Sequence, residues 1–180
     1  ENSIKRLLFY SLGSSIFLPL VWFTREDSLW VIPFVGAALV ISACFVIFNK
    51  KTTKKALRLL CMVLPILTLL GSHTIIANIN YKYYGVFITN DYIEGNFPKA
   101  YKALSLVKPV DWQATVPVTK LTREKIYAVS PSFAKLKPYL EKSPFETSIQ
   151  GNANGGAFPW ALRDSVSEAG IKDAKSQQIF

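Results

Sequence analysis

Three stretches with no Asp, Glu, Lys or Arg fill most of the first half of the chain: residues 7–24, 29–48 and about 59–79. At about 1.5 Å per helical residue, stretches of this length reach roughly 27–31 Å, the thickness of a bilayer's hydrocarbon core. A soluble protein can bury one such helix. Three within the first 80 residues would need more covering protein than the chain contains, so the pattern predicts three transmembrane helices. The first stretch is preceded by Lys5 and Arg6, as a signal peptide would be, but it is longer than a signal's apolar core. The Val21-Trp22-Phe23-Thr24-Arg25 exit offers no small-residue cleavage site, so a retained helix is expected.

From Tyr81 the pattern changes to short helices punctuated by proline. Asn96 is placed to cap a helix opening at Phe97-Pro98, with Tyr101, Leu104 and Val107 at helical spacing and Lys108-Pro109 ending it. Residues 112–118 alternate weakly around Pro117 and read as an extended connector or an edge strand. Thr119 or Thr122 opens the next helix, through Ile126 and Tyr127 to Val129. Ser130-Pro131 reads as an N-cap followed by proline in the first helical position. Phe133, Leu136, Tyr139 and Leu140 line one face of the next segment, with Pro138 breaking or kinking it. Residues 150–156, Gln-Gly-Asn-Ala-Asn-Gly-Gly, form the one stretch expected to be flexible, and lead into a helix with Pro159 in its first turn and Gly170 at its stop. A last helix opens near Asp173 and is cut short at Phe180, so the sequence is expected to be a fragment.

Composition sharpens this division. Of 180 residues half are hydrophobic and 18% charged, against about 25% in ordinary soluble domains. Residues 1–80 hold 11 charged side chains and residues 81–180 hold 22. That split excludes a single soluble globule, a disordered chain and a disulfide-stapled miniprotein. The expected fold class is therefore mainly α. It comprises a membrane region over 1–80, then a small, mostly helical extracytoplasmic domain over 81–180.

Charge sets the expected orientation. Lys50, Lys51, Lys54, Lys55 and Arg58 lie between the second and third spans with no acid among them, and such short basic loops stay in the cytoplasm. Lys5 and Arg6 agree. The loop Arg25-Glu26-Asp27-Ser28 carries a net negative charge and belongs outside, where Trp22, Trp30, Tyr81, Tyr83 and Tyr84 fit an interfacial aromatic belt. The lipid bilayer is thus the first partner. The net charge of +9 is no sign of nucleic-acid binding, because the one basic loop carries five of those charges and the outer segment shows no basic stripe.

Candidate chemistry is sparse. Ser11/Ser15 and Ala38/Ser42 have the small-xxx-small spacing of close helix packing, and Pro19, Pro33 and Pro65 are tolerable in a bilayer where neighbouring groups re-satisfy the backbone. His73, the only histidine, lies inside the third span, either bonded to a neighbouring helix or lining a pathway. It has no acidic or histidine partner in the other spans, and no metal site or cofactor is expected. Cys44 and Cys61 read as small apolar residues toward the cytoplasmic side. Glu26 and Asp27 occupy the position, just after the first span, where membrane glycosyltransferases using lipid-linked sugars carry an acid. Here, however, only about four residues separate the spans, and a solvated hairpin is the plainer reading. Asp91 is the third candidate acid. Gly155 and Gly156, entering a helix, could offer backbone N–H groups to an anion, with Arg163 one turn in as a bidentate grip and Trp160 as an anchor or a platform for a sugar ring. A plain loop before a helix is the alternative.

The stretches Asn80-Tyr81-Lys82-Tyr83-Tyr84-Gly85, Val116-Pro117-Val118, Ile126-Tyr127-Ala128-Val129-Ser130-Pro131-Ser132-Phe133-Ala134 and Phe158-Pro159-Trp160-Ala161-Leu162-Arg163-Asp164 together resemble a group of uncharacterised multi-pass membrane proteins of Gram-positive-type bacteria. In that group a few N-terminal spans precede a helical extracytoplasmic region. The resemblance implies a longer parent protein and an envelope location, and carries over no catalytic residue. The expected function is a non-enzymatic accessory component whose outer domain binds an envelope protein or an anionic glycan. The alternatives are a glycosyltransferase-like membrane-surface enzyme using Glu26, Asp27 or Asp91 with Arg163, and a transporter fragment with His73 in its pathway.

Overall fold

The computed structural model describes residues 2–142 and 152–180. Three long helices come first: α1 (Asn2–Thr24), α2 (Val31–Phe48), entered through a 3-10 turn at Ser28–Trp30, and α3 (Lys55–Tyr84). Each is long and apolar enough to cross a membrane. α1 and α3 outrun the uncharged stretches by taking Lys5, Arg6, Lys55, Arg58 and Lys82 into their terminal turns, where Lys55 Nζ donates to the Ile47 carbonyl at 2.6 Å and Arg58 Nη2 to Ser3 Oγ at 3.1 Å. Six shorter helices follow among the described residues: α4 (Phe97–Ser105), α5 (Lys120–Val129), α6 (Pro131–Ala134), α7 (Lys137–Leu140), α8 (Phe158–Glu168) and α9 (Ala174–Ile179). No β-strand occurs among these residues; 112–118 is an irregular connector turning at Ala114 and Thr115.

The chain divides into two compact units, one of Glu1–Lys82 with Phe87–Ile93, the other of Tyr83–Val86 with Glu94–Phe180. In the first, the large apolar side chains face outward, while the buried positions are mostly small: Ser11, Ser15, Ser28, Val31, Val46, Cys61 and Ala77. Two prolines explain how α1 and α3 are joined. Pro65 has no N–H, which leaves the carbonyl of Cys61, four residues back, without its helical donor, and Ser11 Oγ of α1 donates to it. Pro19 frees the carbonyl of Ser15 in the same way, and Thr68 Oγ1 of α3 lies 3.0 Å from that one, its single proton shared with the Pro65 carbonyl of its own helix at 2.9 Å. Each helix thus supplies a hydroxyl to the carbonyl that proline has opened in the other, an exchange suited to helices that could cross a bilayer, where no water would satisfy those groups. Both prolines lie within continuous helix. Pro33 sits in the first turn of α2, where its missing N–H would have had no helical acceptor. Of the other small pair, Ala38 is exposed and Ser42 half-buried.

The second unit is built in the opposite sense. Val118, Ile126, Tyr127, Phe133, Leu136, Leu140, Ala153, Phe158, Ala161 and Leu162 form its core, with Phe97, Tyr101, Leu104 and Val107 packed against it. Local chemistry marks most helix ends. Thr119 accepts from Thr122 N–H, Ser130 from Phe133 N–H ahead of Pro131, and Asp173 from Ser176 N–H. Pro138 stands in the first turn of α7, and the segment around it is split into two one-turn helices, α6 and α7. Gly170, at φ 89°, ends α8 in a Schellman motif, its own N–H on the Ser167 carbonyl and that of Ile171 on the Val166 carbonyl. Asn96 precedes α4 but makes no side-chain cap. Its Nδ2 donates instead to the Gln178 carbonyl at 2.6 Å while its backbone N–H donates to Gln178 Oε1 at 2.7 Å, which straps α9 to the entry of α4.

Candidate functional site

The two groups of candidate residues fall on different units. On the first, the α1–α2 hairpin carries Glu26 and Asp27. Arg25 forks onto Asp27, Nε to Oδ1 at 2.9 Å and Nη2 to Oδ2 at 3.1 Å, and these bonds hold the Asp27 carboxyl below the ordinary aspartate range. After α3 the chain turns back, with Asn80 Nδ2 donating to the Ile88 carbonyl at 2.7 Å. Asn90 then reaches the hairpin, its Nδ2 donating to the Glu26 carbonyl at 3.0 Å, while its Oδ1 accepts from Tyr92 N–H. The segment bearing Asp91 is thereby brought beside Glu26, a juxtaposition across 64 residues that no local pattern announces. Among the described residues, no three His, Cys, Asp or Glu side chains form a group that could hold a metal ion. His73 is half-buried on α3.

On the second unit, the stretch leading into α8 is folded rather than loose where it is described. Asn152 and Ala153 are buried, and only Gln150 and Gly151 of the stretch read as flexible lie outside the described residues. Asn152 Oδ1 accepts from Lys120 N–H at 2.6 Å and its Nδ2 donates to Gln113 Oε1 at 3.0 Å. The backbone N–H groups considered for an anion have internal acceptors. Gly155 N–H donates to the Thr115 carbonyl at 2.7 Å; Gly156 and Ala157 N–H donate to Asn154 Oδ1 at 3.1 and 2.9 Å. Asn154 thus occupies the place an anion would take at the start of α8. The Arg163 guanidinium lies between two rings, 4.7 Å from the Phe97 centroid and 5.1 Å from that of Trp160. Trp160 itself is exposed.

The strongest electrostatic feature of this unit was not among the sequence candidates. Arg123, 1% exposed, grips Glu141 through Nε–Oε1 at 2.7 Å and Nη2–Oε2 at 2.8 Å, and donates from Nη1 to the Val118 carbonyl at 3.1 Å. Tyr127 Oη adds a 2.6 Å bond to Glu141 Oε1. Burial, and then the neighbouring carboxylate, push the Tyr127 phenol far above its ordinary range, so it serves as a permanent donor. The only sequence signal was Arg123 and Tyr127 at i, i+4 on the apolar face of α5; nothing pointed to Glu141. This cluster holds α5 to the end of α7 and is fully committed to that task. No protein-family model matches the chain, and comparison with curated proteins and with solved structures likewise returned no match.

Proposed function

We propose that the protein is a multi-pass component of a bacterial cell membrane that acts without catalysis, its second unit binding a protein of the envelope. In this reading the N-terminus and the Lys50–Arg58 loop face the cytoplasm, held there by five basic residues, and residues 81–180 face outward. The observation that carries the reading is the outward face of the second unit. α5 exposes Leu121, Ala128 and Val129 along one side, and Trp160 and Ile179 are also exposed. Fixed apolar side chains on a folded surface fit a partner protein better than a glycan. The experiment is photocrosslinking in intact cells from a photoreactive residue at position 129. A discrete protein adduct, weakened by Trp160→Ala, is expected; crosslinks to glycan alone, or none, overturn the reading.

A second reading has one observation in its favour. The Asn90–Glu26 bond gathers the segments of Glu26, Asp27 and Asp91, as a membrane-surface enzyme acting on lipid-linked sugars would require. Turnover of such a lipid by the reconstituted chain, abolished by Asp91→Asn, would establish it in place of the first.

A further inference from the structure

The segment after α4, Leu106-Val107-Lys108-Pro109-Val110-Asp111-Trp112, sends its apolar side chains in an unexpected direction. Val107 packs against the core, but Leu106, Val110 and Trp112 are 73%, 54% and 80% exposed. A mobile loop would explain such exposure; this one is tied down. Val110 N–H donates to Thr122 Oγ1 at 3.0 Å, and the Asp111 carboxylate accepts from Thr119 Oγ1 and, at 3.2 Å, from Gln113 Nε2. Gln113 in turn is held by the buried Asn152. The network therefore turns the loop's single acid inward and fixes a tryptophan and two aliphatic side chains outward. Two lysines flank them: Lys108 within the loop and Lys102 one helical turn before Leu106, both exposed. Water favours the reverse arrangement. The headgroup region of a bilayer favours this one, because tryptophan and aliphatic groups settle at the acyl boundary while lysines meet lipid phosphates.

The chain brings such a surface with it. The loop begins about twenty residues after α3 ends at Tyr84, and no residue spans more than about 3.6 Å. A bilayer that takes up α3 is therefore present at high effective concentration. We propose that residues 106–112 form a second membrane contact, placing Trp112, Val110 and Leu106 in the interface of an anionic leaflet with Lys102 and Lys108 on its phosphates. This rests on the three-span reading, but not on the identity of any protein partner.

The test uses the full chain reconstituted in vesicles of phosphatidylcholine, with and without phosphatidylglycerol, whose acyl chains carry bromine. The difference in emission between the wild type and Trp112→Phe isolates Trp112 from the other three tryptophans. Quenching of that difference by brominated lipid at least twofold above quenching by aqueous acrylamide is expected, reduced by omitting phosphatidylglycerol or by Lys108→Glu. Quenching by acrylamide alone overturns the proposal, as does crosslinking of a Trp112→Cys variant to a second copy or to another protein. Quenching by lipid that is indifferent to phosphatidylglycerol overturns its charge-guided form. A chain that fails to float with the vesicles refutes instead the three-span reading on which the proposal stands.

Discussion

Ile41 on α2 and Val129 on α5 are aliphatic side chains of almost equal exposure, 70% and 78%, yet their surroundings differ. Ile41 is one of many large apolar residues covering the outside of three helices whose buried positions are mostly small, serines, a cysteine and an alanine among them. Val129 lies on a helix whose other face buries Ile126 and Tyr127 in an aliphatic and aromatic core. The first unit keeps hydroxyls between its helices, which suits a lipid environment: lipid would supply no hydrophobic drive to pair them, and packing and interhelical hydrogen bonds would have to do so. The second excludes water from apolar surface and encloses one ion pair held by further hydrogen bonds. Exposure alone does not identify a surface; what lies beneath it does.

The comparison breaks first at the enclosed ion pair. Glu141→Ala strands the Arg123 charge and removes the acceptor of Tyr127, and is expected to destabilise the second unit by about 3–5 kcal/mol. The combination Arg123→Met with Glu141→Leu should regain most of that loss. Hydrogen exchange of the α5 amides in the reconstituted chain measures both.

A smaller effect is expected at the α1–α3 seam. Ser11→Ala leaves the Cys61 carbonyl without its donor and should cost about 1 kcal/mol in resistance to detergent unfolding. In a Pro65→Ala background, where the helix supplies its own N–H, the same substitution should cost almost nothing. Thr68→Ala and Pro19→Ala form the matching cycle. Additive losses in both cycles would show that the hydroxyls do not answer the prolines.

Next is Thr115, a β-branched residue held at φ 66° while its carbonyl accepts from Gly155 N–H. Thr115→Gly should stabilise the second unit by up to about 1 kcal/mol, seen as a raised melting temperature, because glycine adopts that conformation without strain.

The smallest effect is at the Asp173 cap, where the bond from the Ser176 hydroxyl and then that from its N–H lower the carboxyl pKa. A lowered folded pKa gives stability that is present above the ordinary aspartate value of about 3.9 and is lost as pH falls through the folded one. α9 should therefore fray only under strong acid, reported by the Ser176 amide resonance, and Asp173→Asn should remove the pH dependence.

How much of the fold and its sites was legible depends on the range of the interaction. Span lengths, the caps at Thr119, Ser130 and Asp173, and the stop at Gly170 rest on neighbours within a turn, and the sequence carries their signals. Asn96 had the residue type and position of a cap, but Gln178, 82 residues further on, offered acceptors to both its backbone N–H and its Nδ2. The glycine-rich entry to α8 looked open although its signal was local: an Asn side chain readily accepts from N–H groups two and three residues on, as Asn154 does from Gly156 and Ala157. The proline–hydroxyl exchange was half visible: Ser15 and Cys61 each stand four residues before a proline, but which hydroxyl answers which carbonyl is a matter of register between helices. Arg123–Glu141 and Asn90–Glu26 join residues whose partners only the tertiary fold selects.

The central claim is that lipid solvates the outer surface of α1, α2 and α3. It is tested most directly by single cysteines at two equally exposed sites, Ile41→Cys and Val129→Cys, each in a chain with Cys44 and Cys61 replaced by alanine and reconstituted in open membrane sheets. A water-soluble maleimide should modify position 129 within minutes and leave position 41 unmodified until the membrane is dissolved in SDS. Equal labelling at both positions in intact membranes would contradict the account.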